Sequence, residues 1–504
     1  MFIRKVKNHS GNTVFQVVKK VKRKNCIVKH LGTARNDLEK QQLLELGQAY
    51  LDRERLKQGR LSLFDSRYSQ SEGKQLLKRF AFKETRDSVT YNFFRFFYRQ
   101  LGFDSLHDEI FGDLVVTRIM KPVSKVKTRD FLETVLGRKY SLTGLYRAMQ
   151  AACQRNYRTK VEKILWDYCF PHKESVSTLF FDVTTLYFEA FDEDEFKRKG
   201  FSKDNKANQP QVTVTLTVTA SGFPLHLQSF EGNKFGGHTI IPCLLSLKTR
   251  HRINNFIVVA DSAMLSEDNL DGLGKQGLKF IVGARLGNLS PALFQQIVNS
   301  VEKTDGTTAR FRLGNSRTLI VSYSRQRADK DKSDREKQVK KANYALQKPS
   351  TVSQRFKFLK RAKGKDFILN EQLIEKAKQL EGLKGYVTND ASLTDQEITE
   401  KYAQLWQVEK SFRMSKSDLK ARPIFHTVRE KIEAHLLIVF CALAVMRLVE
   451  NQTKLSTAKI LEKLNLIKEI IIEDRITGER FSQFIEPNEE AKQLFQLARI
   501  NWVT

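Results

Sequence analysis

Five runs of β-branched or aromatic residues, each of strand length, follow one another in the middle of this 504-residue chain. They are TLFFDVTTLYF (178–188), VTVTLTVT (212–219), PLHLQSF (224–230), FIVVA (256–260) and LKFIVGA (278–284). Helical stretches at 238–250 and 266–273 separate the third run from the fourth and the fourth from the fifth. This order predicts a mixed α/β sheet, in which the first three strands form an antiparallel meander and the later ones pair in parallel.

The charge of the chain indicates its partner. Its 87 Lys and Arg residues outnumber 57 Asp and Glu residues, which gives a formal net charge of +30. A chain this basic most often binds a polyanion, either nucleic acid or an anionic membrane surface. The longest apolar run, Leu436–Met446, has 11 residues. Because a membrane-spanning helix needs roughly 20, we expect a buried helix packed on the sheet and no membrane partner.

Composition also bears on the compartment and on the division into regions. The start of the chain lacks an apolar signal segment, and its 5 cysteines form no C-x-x-C pair. We therefore expect a cytoplasmic, nucleoid-associated protein. The predicted regions are a basic β-rich N-terminal arm (1–70), a helical DNA-binding region (71–172), a catalytic core (173–285 and 386–450), a basic insertion (286–385) and a helical C-terminal region (451–504).

Two N-terminal segments could contact DNA. Residues 1–30 contain nine Lys or Arg residues and no acid, and they alternate around Gly11-Asn12 like a small antiparallel sheet. This sheet is either a DNA-contacting arm or an edge sheet protected by lysines. Segments 128–137 and 141–153 resemble a helix-turn-helix in which Arg147 could reach a groove. Two ordinary consecutive helices are the alternative.

Two aspartates stand at unusual positions of the predicted strands. Asp182 shares one face of its strand with Phe180, Leu186 and Phe188. A buried carboxylate needs a cation, which is either a bound metal ion or a nearby Lys or Arg. Asp261 directly follows FIVVA, at the carboxyl end of a strand, where α/β sheets place ligand-binding groups. A simple turn aspartate is the alternative there.

A third acid interrupts the amphipathic pattern of a helix predicted from about 393 to 417. At 100° per residue, Glu409 lies on the side occupied by the apolar residues Tyr402, Leu405, Trp406 and Phe412. A carboxylate that breaks such a stripe is more often placed for chemistry than for solubility. Arg413 and Lys416 lie on the same side, where they would suit phosphate oxygens.

Asp182, Asp261 and Glu409 together predict a metal site. Carboxylate oxygens suit Mg²⁺ or Mn²⁺, and clustered acids repel one another unless cations lie between them. Two such ions per site can serve an in-line displacement at a phosphodiester. In a chain this basic, the combination predicts a metal-dependent enzyme acting on DNA.

These residues resemble the DDE transposases of bacterial insertion sequences. Asp182 and Asp261 fall where that family keeps its aspartates, on its first and fourth strands. Tyr402, Glu409 and Lys416 match the spacing of its Y-x2-R-x3-E-x6-K signature. The arginine of that signature is the exception.

Leu405 stands in the place of that arginine, and Arg413 is a candidate substitute. Segments 200–212 and 230–239 resemble the family's loop between its first two strands and its Gly-Asn turn after the third. RPIFHTVREKIEAHLLIVFCALAV (422–445) is similar to the segment after the glutamate in the insertion-sequence-4 group, particularly its 1634-type branch.

The resemblance implies a ribonuclease-H-like mixed five-stranded sheet flanked by helices, with a mostly β insertion that contacts DNA. It implies that Asp182, Asp261 and Glu409 are catalytic and hold two Mg²⁺ or Mn²⁺ ions. The DNA contacts it favours are Tyr402, Arg413, Lys416, Lys203 and Arg147. It further implies a homodimer that holds double-stranded terminal inverted repeats and target DNA in a synaptic complex.

Two other functions stay open at this point. A ribonuclease-H-like nuclease would cut DNA without joining strands. A catalytically silent DNA-binding protein derived from a transposon would do neither.

Overall fold

A computed structural model gives the fold of this chain. It describes residues 1–21, 24–57, 79–169, 177–202, 204, 206, 208–234, 237–251, 253, 255–262, 266–314, 316–347, 356–362 and 367–498, with the backbone alone at 55–57. Within these ranges the structure contains both long helices and extended strands, as the alternation in the sequence predicts.

The described strands are β1 (Phe2–Lys7), β2 (Thr13–Val21), β3 (Lys24–Ala34), β4 (Phe80–Arg86), β5 (Thr178–Tyr187), β6 (Gln211–Val218), β7 (Pro224–Glu231), β8 (Ile257–Ala260), β9 (Lys279–Ala284), β10 (Thr308–Leu313), β11 (Arg317–Tyr323), β12 (Leu359–Arg361), β13 (Phe367–Leu369), β14 (Leu383–Thr388), β15 (Glu469–Asp474) and β16 (Arg480–Phe484). The described α-helices are α1 (Asp37–Lys57), α2 (Ser88–Gln100), α3 (Glu109–Met120), α4 (Lys125–Leu136), α5 (Leu142–Gln154), α6 (Tyr157–Cys169), α7 (Gly237–His251), α8 (Glu267–Lys275), α9 (Pro291–Ser300), α10 (Arg325–Gln347), α11 (Glu371–Gln379), α12 (Asp395–Ala403), α13 (Trp406–Arg413), α14 (Arg429–Thr453), α15 (Thr457–Leu464) and α16 (Glu489–Leu497).

The chain divides into two compact units. The first comprises residues 1–92, 130–139 and 458–504. It contains an antiparallel sheet in the order β1-β2-β3, which confirms the small sheet predicted for the basic start of the chain. A second sheet in the order β16-β15-β4 lies in the same unit.

This second sheet corrects two predictions about helical regions. The C-terminal region and the region from 71 to 172 were expected to be helical, yet β15 pairs with both β16 and β4. The central β15 reads EIIIED, a β-branched run suited to a strand. Its partner β4 lies almost four hundred residues earlier in the chain. Pairing over such a distance leaves no mark in a local pattern.

The second unit, residues 93–129 and 140–457, contains a mixed eight-stranded sheet. The strand order is β10-β11-β14-β9-β8-β5-β6-β7. The pairs β5–β6 and β6–β7 are antiparallel, whereas β5–β8 and β8–β9 are parallel. The predicted meander followed by parallel strands is therefore confirmed.

The sheet has eight strands rather than the predicted five because it continues past β9. Strand β14 pairs with β9, and β11 and β10 follow in turn, all antiparallel. An uncovered edge strand presents unpaired N–H and C=O groups, which these strands satisfy. Two strands that were assigned to a separate insertion thus belong to the central sheet.

The remainder of the described insertion is mainly helical, which corrects the expectation of a mostly β subdomain. Helices α9, α10 and α11 account for most of it, beside the short β12–β13 pair. The longest, α10, covers 23 residues of the basic run and buries only Ala342 and Ala345. Its Lys, Arg, Gln, Glu and Ala residues are good helix formers, and neither Gly nor Pro interrupts them. A helix that is polar on every side lacks the apolar stripe from which periodicity predicts a helix.

Helix α14 forms the centre of the second unit. It packs against α3, α5 and β7, and its residues from Leu436 to Val449 are all buried. By length and composition it could cross a membrane, but 94% of its most apolar window is buried inside the protein. The predicted buried helix packed on the sheet is confirmed.

Candidate active site

The two predicted aspartates lie on neighbouring parallel strands. In the register of β5 and β8, Phe181 lies opposite Ala260. Asp182 and Asp261 are the next residue of each strand, so both follow the same paired position. Parallel strands keep their register, and the two carboxylates therefore arise side by side where β8 ends. Residues 79 positions apart in the sequence (261 − 182) become neighbours through this one strand pair.

Each of these carboxylates is held by the backbone that follows it. The Val183 N–H donates to Asp182 Oδ1 at 2.7 Å. The Ser262 N–H donates to Asp261 Oδ1 at 2.7 Å, and the Ser262 hydroxyl donates to the same oxygen at 3.3 Å. Asp182 is half-buried, whereas Asp261 is exposed. The buried Phe180, Leu186 and Phe188 on the Asp182 face agree with the predicted alternation.

The helix that carries Glu409 differs from the predicted one. Helix α12 ends at Ala403, α13 begins at Trp406, and a π-helical turn occupies 414–418. Between the helices, the Leu405 N–H donates to the Tyr402 carbonyl and the Gln407 N–H to the Gln404 carbonyl. These three-residue steps replace the helical ladder. A projection at 100° per residue therefore does not carry across the break.

As a result, Glu409 is exposed and does not lie within a buried aromatic stripe. Helix α13 buries Val408, Ser411 and Phe412, while Trp406 keeps 52% of its surface exposed. This buried side packs against β5 and β6. The helix of the third acid thus covers the strand that contains Asp182.

Tyr402 links the acids electrostatically. Burial raises the pKa of its phenol, and the negative charge of Asp261, the Tyr386 ring hydroxyl and the charge of Glu409 raise it further. The hydroxyl fits against β9 because residue 283 is glycine: a Cβ there would lie 2.5 Å from Tyr402 Oη. Asp261 and Glu409 therefore share the surroundings of one buried phenol.

A lysine that sequence reasoning missed lies in the same place. The Lys384 ammonium is 4.5 Å from the centroid of the Tyr402 ring. Burial and the positive charge of Arg327 lower the pKa of Lys384, while the charges of Asp261 and Glu409 act in the opposite direction. In the sequence, Lys384 could have been noticed only because it lies two residues before Tyr386 in LKGYVT. This spacing places the two side chains on one face of β14.

The donor set fits a hard divalent cation by its chemistry. Asp182, Asp261 and Glu409 offer carboxylate oxygens, and two of the three are exposed to solvent. Within the described ranges, no three or more His, Cys, Asp or Glu side chains are close enough together to hold one metal ion. The structure thus brings the two aspartates to adjacent strands, and it brings Glu409 to the surroundings that Asp261 shares with Tyr402.

A family comparison assigns this part of the chain. Residues 175–445 match the model of the transposase DDE domain family, and this stretch is more than half of the 504 residues. The chain belongs to the transposase DDE domain family. This membership identifies it as a DNA transposase by family, in a class of DNA-cutting enzymes.

Other comparisons add little to the family match. No curated protein matches the chain. A similar solved structure is the cryo-EM structure of a piggyBac transposase synaptic complex with hairpin DNA. It is 14% identical, with a TM-score of 0.38, over 70% of this chain and 68% of that one.

The predicted phosphate contacts of the DDE domain occupy different environments. Lys416 lies in the π-helical turn and pairs with Asp204 at 3.1 Å, as does Arg422 at 3.0 Å. Arg413 is exposed at the end of α13, and Tyr402 is buried. Lys203 lies outside the described residues.

Arg147, outside the DDE domain, is exposed on α5. That helix begins as predicted, because the Ser141 hydroxyl accepts from the Gly144 N–H at 2.9 Å. The two compact units divide between α5 and the end of α4. The helix-turn-helix stays a prediction.

Proposed function

We propose that this chain is the transposase of a bacterial insertion sequence, in the insertion-sequence-4 group and its 1634-type branch. It cleaves phosphodiester bonds at the ends of its element and joins the resulting 3′-OH ends to target DNA. Asp182, Asp261 and Glu409 are the proposed catalytic acids on a ribonuclease-H-like core. The observation that carries this proposal is the register of β5 and β8, which makes Asp182 and Asp261 neighbours.

The strand order supports the ribonuclease-H-like core. Counted along the chain from β5, the strands β7, β6, β5, β8 and β9 lie side by side in the order 3-2-1-4-5. In open α/β sheets, ligand-binding groups gather beyond the carboxyl ends of the strands. Asp261 directly follows β8, and Gly283 with its neighbour Tyr402 lies near the end of β9.

Asp182, Asp261 and Glu409 would hold the two Mg²⁺ or Mn²⁺ ions proposed for this site. When bound, such ions supply the positive charge that offsets the repulsion of the acids and of the reacting phosphate.

The chain's own groups orient the site. The amide of Val183 fixes one oxygen of Asp182, and Ser262 does the same for Asp261. Lys384 adds a positive charge beside Asp261 and Glu409, where a phosphate oxygen would otherwise meet only acids. Because phosphoryl transfer depends on alignment and charge neutralisation, such positioning is the main contribution that these residues make.

Double-stranded DNA is the proposed partner, as the terminal inverted repeats of the element and as target DNA. The formal net charge of +30 and the polar helix α10 support it, because Lys and Arg contacts to phosphates supply most of the non-specific affinity for DNA. We propose that two copies hold the two ends in a synaptic complex, in the nucleoid region of the cytoplasm.

Strand transfer separates this proposal from its alternatives. The full chain is incubated with Mg²⁺ and double-stranded ends taken from the DNA that flanks its gene, and the products are mapped on sequencing gels. A transposase nicks at the end and then joins the exposed 3′-OH to a target plasmid. Cleavage without joining of pre-cut ends would identify a nuclease, and binding without metal-dependent nicking would identify a silent DNA-binding protein.

A further inference from the structure

A cavity of about 320 Å³ in the second compact unit is lined by several basic side chains. The cavity is formed by the end of α3, the start of α4, one side of α5 and the segment that leads into α14. All of these residues belong to the second compact unit. Its charged, histidine and tyrosine lining residues are Arg118, Lys125, Tyr146, Lys420, Arg422, His426 and His435.

Lys125 is the residue that makes this cavity unusual. Only 6% of its surface is exposed. Among the residues that the structure describes, none forms an ion pair or a hydrogen bond with its ammonium group. Buried lysines are normally paired, because an isolated buried charge is unfavourable. Its side chain therefore faces the cavity without a counterion.

A second cation, Arg118, is fixed beside Lys125. Its Nη1 donates to the Val123 carbonyl at 3.0 Å, and its Nη2 donates to His435 Nδ1 at 3.1 Å. His435 Nε2 in turn donates to the Ala421 carbonyl at 3.2 Å. This network assigns the neutral tautomer to His435, in agreement with its pKa, which burial and the nearby cations hold well below the usual value.

These hydrogen bonds engage only the two terminal nitrogens of the Arg118 guanidinium. Its Nε lies buried without a hydrogen-bond partner in the described part of the chain. The position of Arg118 is thus set by Val123 and His435, while its charge stays uncompensated. A guanidinium held in this way is preorganised for an oxyanion.

The described residues that line the cavity include neither Asp nor Glu. Arg422, one of the lining cations, pairs with Asp204 at 3.0 Å, and Lys416 pairs with the same carboxylate at 3.1 Å. Burial and the charge of Arg118 lower the pKa of Lys125, and burial lowers the pKa of Arg118. The described lining of the cavity is thus positively charged.

We propose that this cavity binds a phosphate group through Lys125 and Arg118, either a backbone phosphate of a DNA strand or free phosphate. An ammonium and a guanidinium together suit the tetrahedral oxygens of phosphate. The mouth is accessible, because Phe425 and Val126 are 69% and 43% exposed and Lys420 is exposed beside them. The proposal does not depend on cleavage by the acids of the candidate active site.

Titration calorimetry of the full chain with inorganic phosphate, at constant ionic strength, tests the site directly. We expect wild-type protein to bind phosphate, and we expect Lys125→Met to weaken binding at least about tenfold, the value of one charge-assisted hydrogen bond. The matched control is Lys127→Met, which removes an exposed lysine two residues further along α4 and should leave the affinity unchanged. Circular dichroism and thermal unfolding check that each variant folds.

A second variant keeps the test decisive if Lys125→Met fails to fold. Lys420→Gln removes the exposed cation at the mouth and should weaken phosphate binding by a smaller factor. Absence of phosphate binding by the wild-type chain would overturn the proposal. Equal phosphate affinity of wild type and Lys125→Met, with both folded, would overturn it as well.

Binding of a short DNA duplex without Mg²⁺ distinguishes the two sources of phosphate. If Lys125→Met weakens both phosphate and DNA binding, the natural ligand is a phosphate of the strand. If it weakens phosphate binding alone, the ligand is a free phosphate. Either result supports the site, and neither depends on whether the chain cleaves or joins DNA.

Discussion

The candidate active site and the cavity of Arg118 and Lys125 differ in the sign and in the burial of their charged side chains. In the active site, the acids Asp261 and Glu409 are exposed to water, and a partly buried Lys384 lies within electrostatic reach of both. In the cavity, two cations are buried and no described lining residue is an acid. The acids of the first region are exposed, while the two cations of the second are buried.

The difference shows that burial, more than the number of charges, decides how strongly a site requires a counterion. Water screens the charges of Asp261 and Glu409, because both side chains are exposed. Lys125 has no such screening, and its pKa falls to about 7 because of burial and the charge of Arg118. Because Lys125 is buried and the two acids are exposed, a counterion matters more to Lys125.

Substitution of the acids should have the largest effect, because it should abolish the activity of one site and leave the other site unchanged. Asp182→Asn, Asp261→Asn or Glu409→Gln each removes one carboxylate of the proposed metal site, and we expect strand cleavage to fall below detection. Phosphate binding in the cavity should be unchanged, because the two sites use different residues. Cleavage is measured with labelled element ends and Mg²⁺, and phosphate binding by calorimetry.

The matched controls for this experiment remove carboxylates nearby. Asp268→Asn on α8 and Glu400→Gln on α12 change exposed acids outside the proposed set. Both should cleave like wild type, and removal of the metal with EDTA should stop cleavage by every active form. Full cleavage by one of the three acid variants would exclude that acid from the site.

The pH dependence of anion binding is the next largest expected effect. Sulfate is the probe, since it keeps the same charge from acidic to alkaline pH. The free protein holds the pKa of Lys125 at about 7, so its ammonium is charged below pH 7 and loses its proton above. We expect the sulfate affinity to fall by up to about tenfold for each pH unit above 7.

Arg118 and His426, which also line the cavity, do not titrate in this window. Burial lowers the pKa of Arg118 only to about 10, and burial with nearby cations lowers the pKa of His426 to about 4. The same causes hold the pKa of His435 well below its usual value. Lys420 and Arg422 complete the charged lining. Lys125→Met should therefore abolish the pH dependence between 6 and 8, and its persistence in that variant would assign it to another group.

Lys384→Met should sharpen the description of the active site. Loss of its positive charge beside Asp261 and Glu409 makes the site more negative. We expect the Mg²⁺ concentration for half-maximal cleavage to fall, while the maximal rate falls several-fold because the reacting phosphate loses a neutralising group. A lower maximal rate with an unchanged Mg²⁺ requirement would contradict this electrostatic role and indicate a structural one.

Arg147→Gln should have the smallest effect. This exposed side chain on α5 is proposed to contact a phosphate, so its loss should weaken DNA binding similarly for every sequence. The slope of log affinity against log salt should fall by about 1. An unchanged slope, measured by fluorescence anisotropy across salt concentrations, would remove Arg147 from the interface.

Local patterns predicted the strands of the central sheet well. The alternation of apolar residues gave five runs, and each corresponds to one of β5 to β9. The pairing followed from their order, because consecutive strands favour antiparallel neighbours and strands joined through helices favour parallel ones. Asp182 and Asp261 were found in this way, since their positions in those runs are local features.

The helix of Glu409 shows where periodicity fails. The projection assumed one continuous helix, but tight turns at Gln404 and Leu405 divide it. Both Tyr402 and Leu405 are buried there, so packing favours a break in the helix. Neither a glycine nor a proline at this point of the sequence signals the break. Glu409 stays a predicted site residue, although its predicted environment was wrong.

The sequence by itself determined the identity and order of the strands of the central sheet and the residues that end them, because a period of two is written in neighbouring positions. Only the tertiary structure decided that the sheet continues to eight strands and that Lys384 lies beside the acids. It alone brings Arg118 to His435, 317 positions away, around an uncompensated lysine. Such contacts depend on which surfaces are buried together, a property of the whole fold.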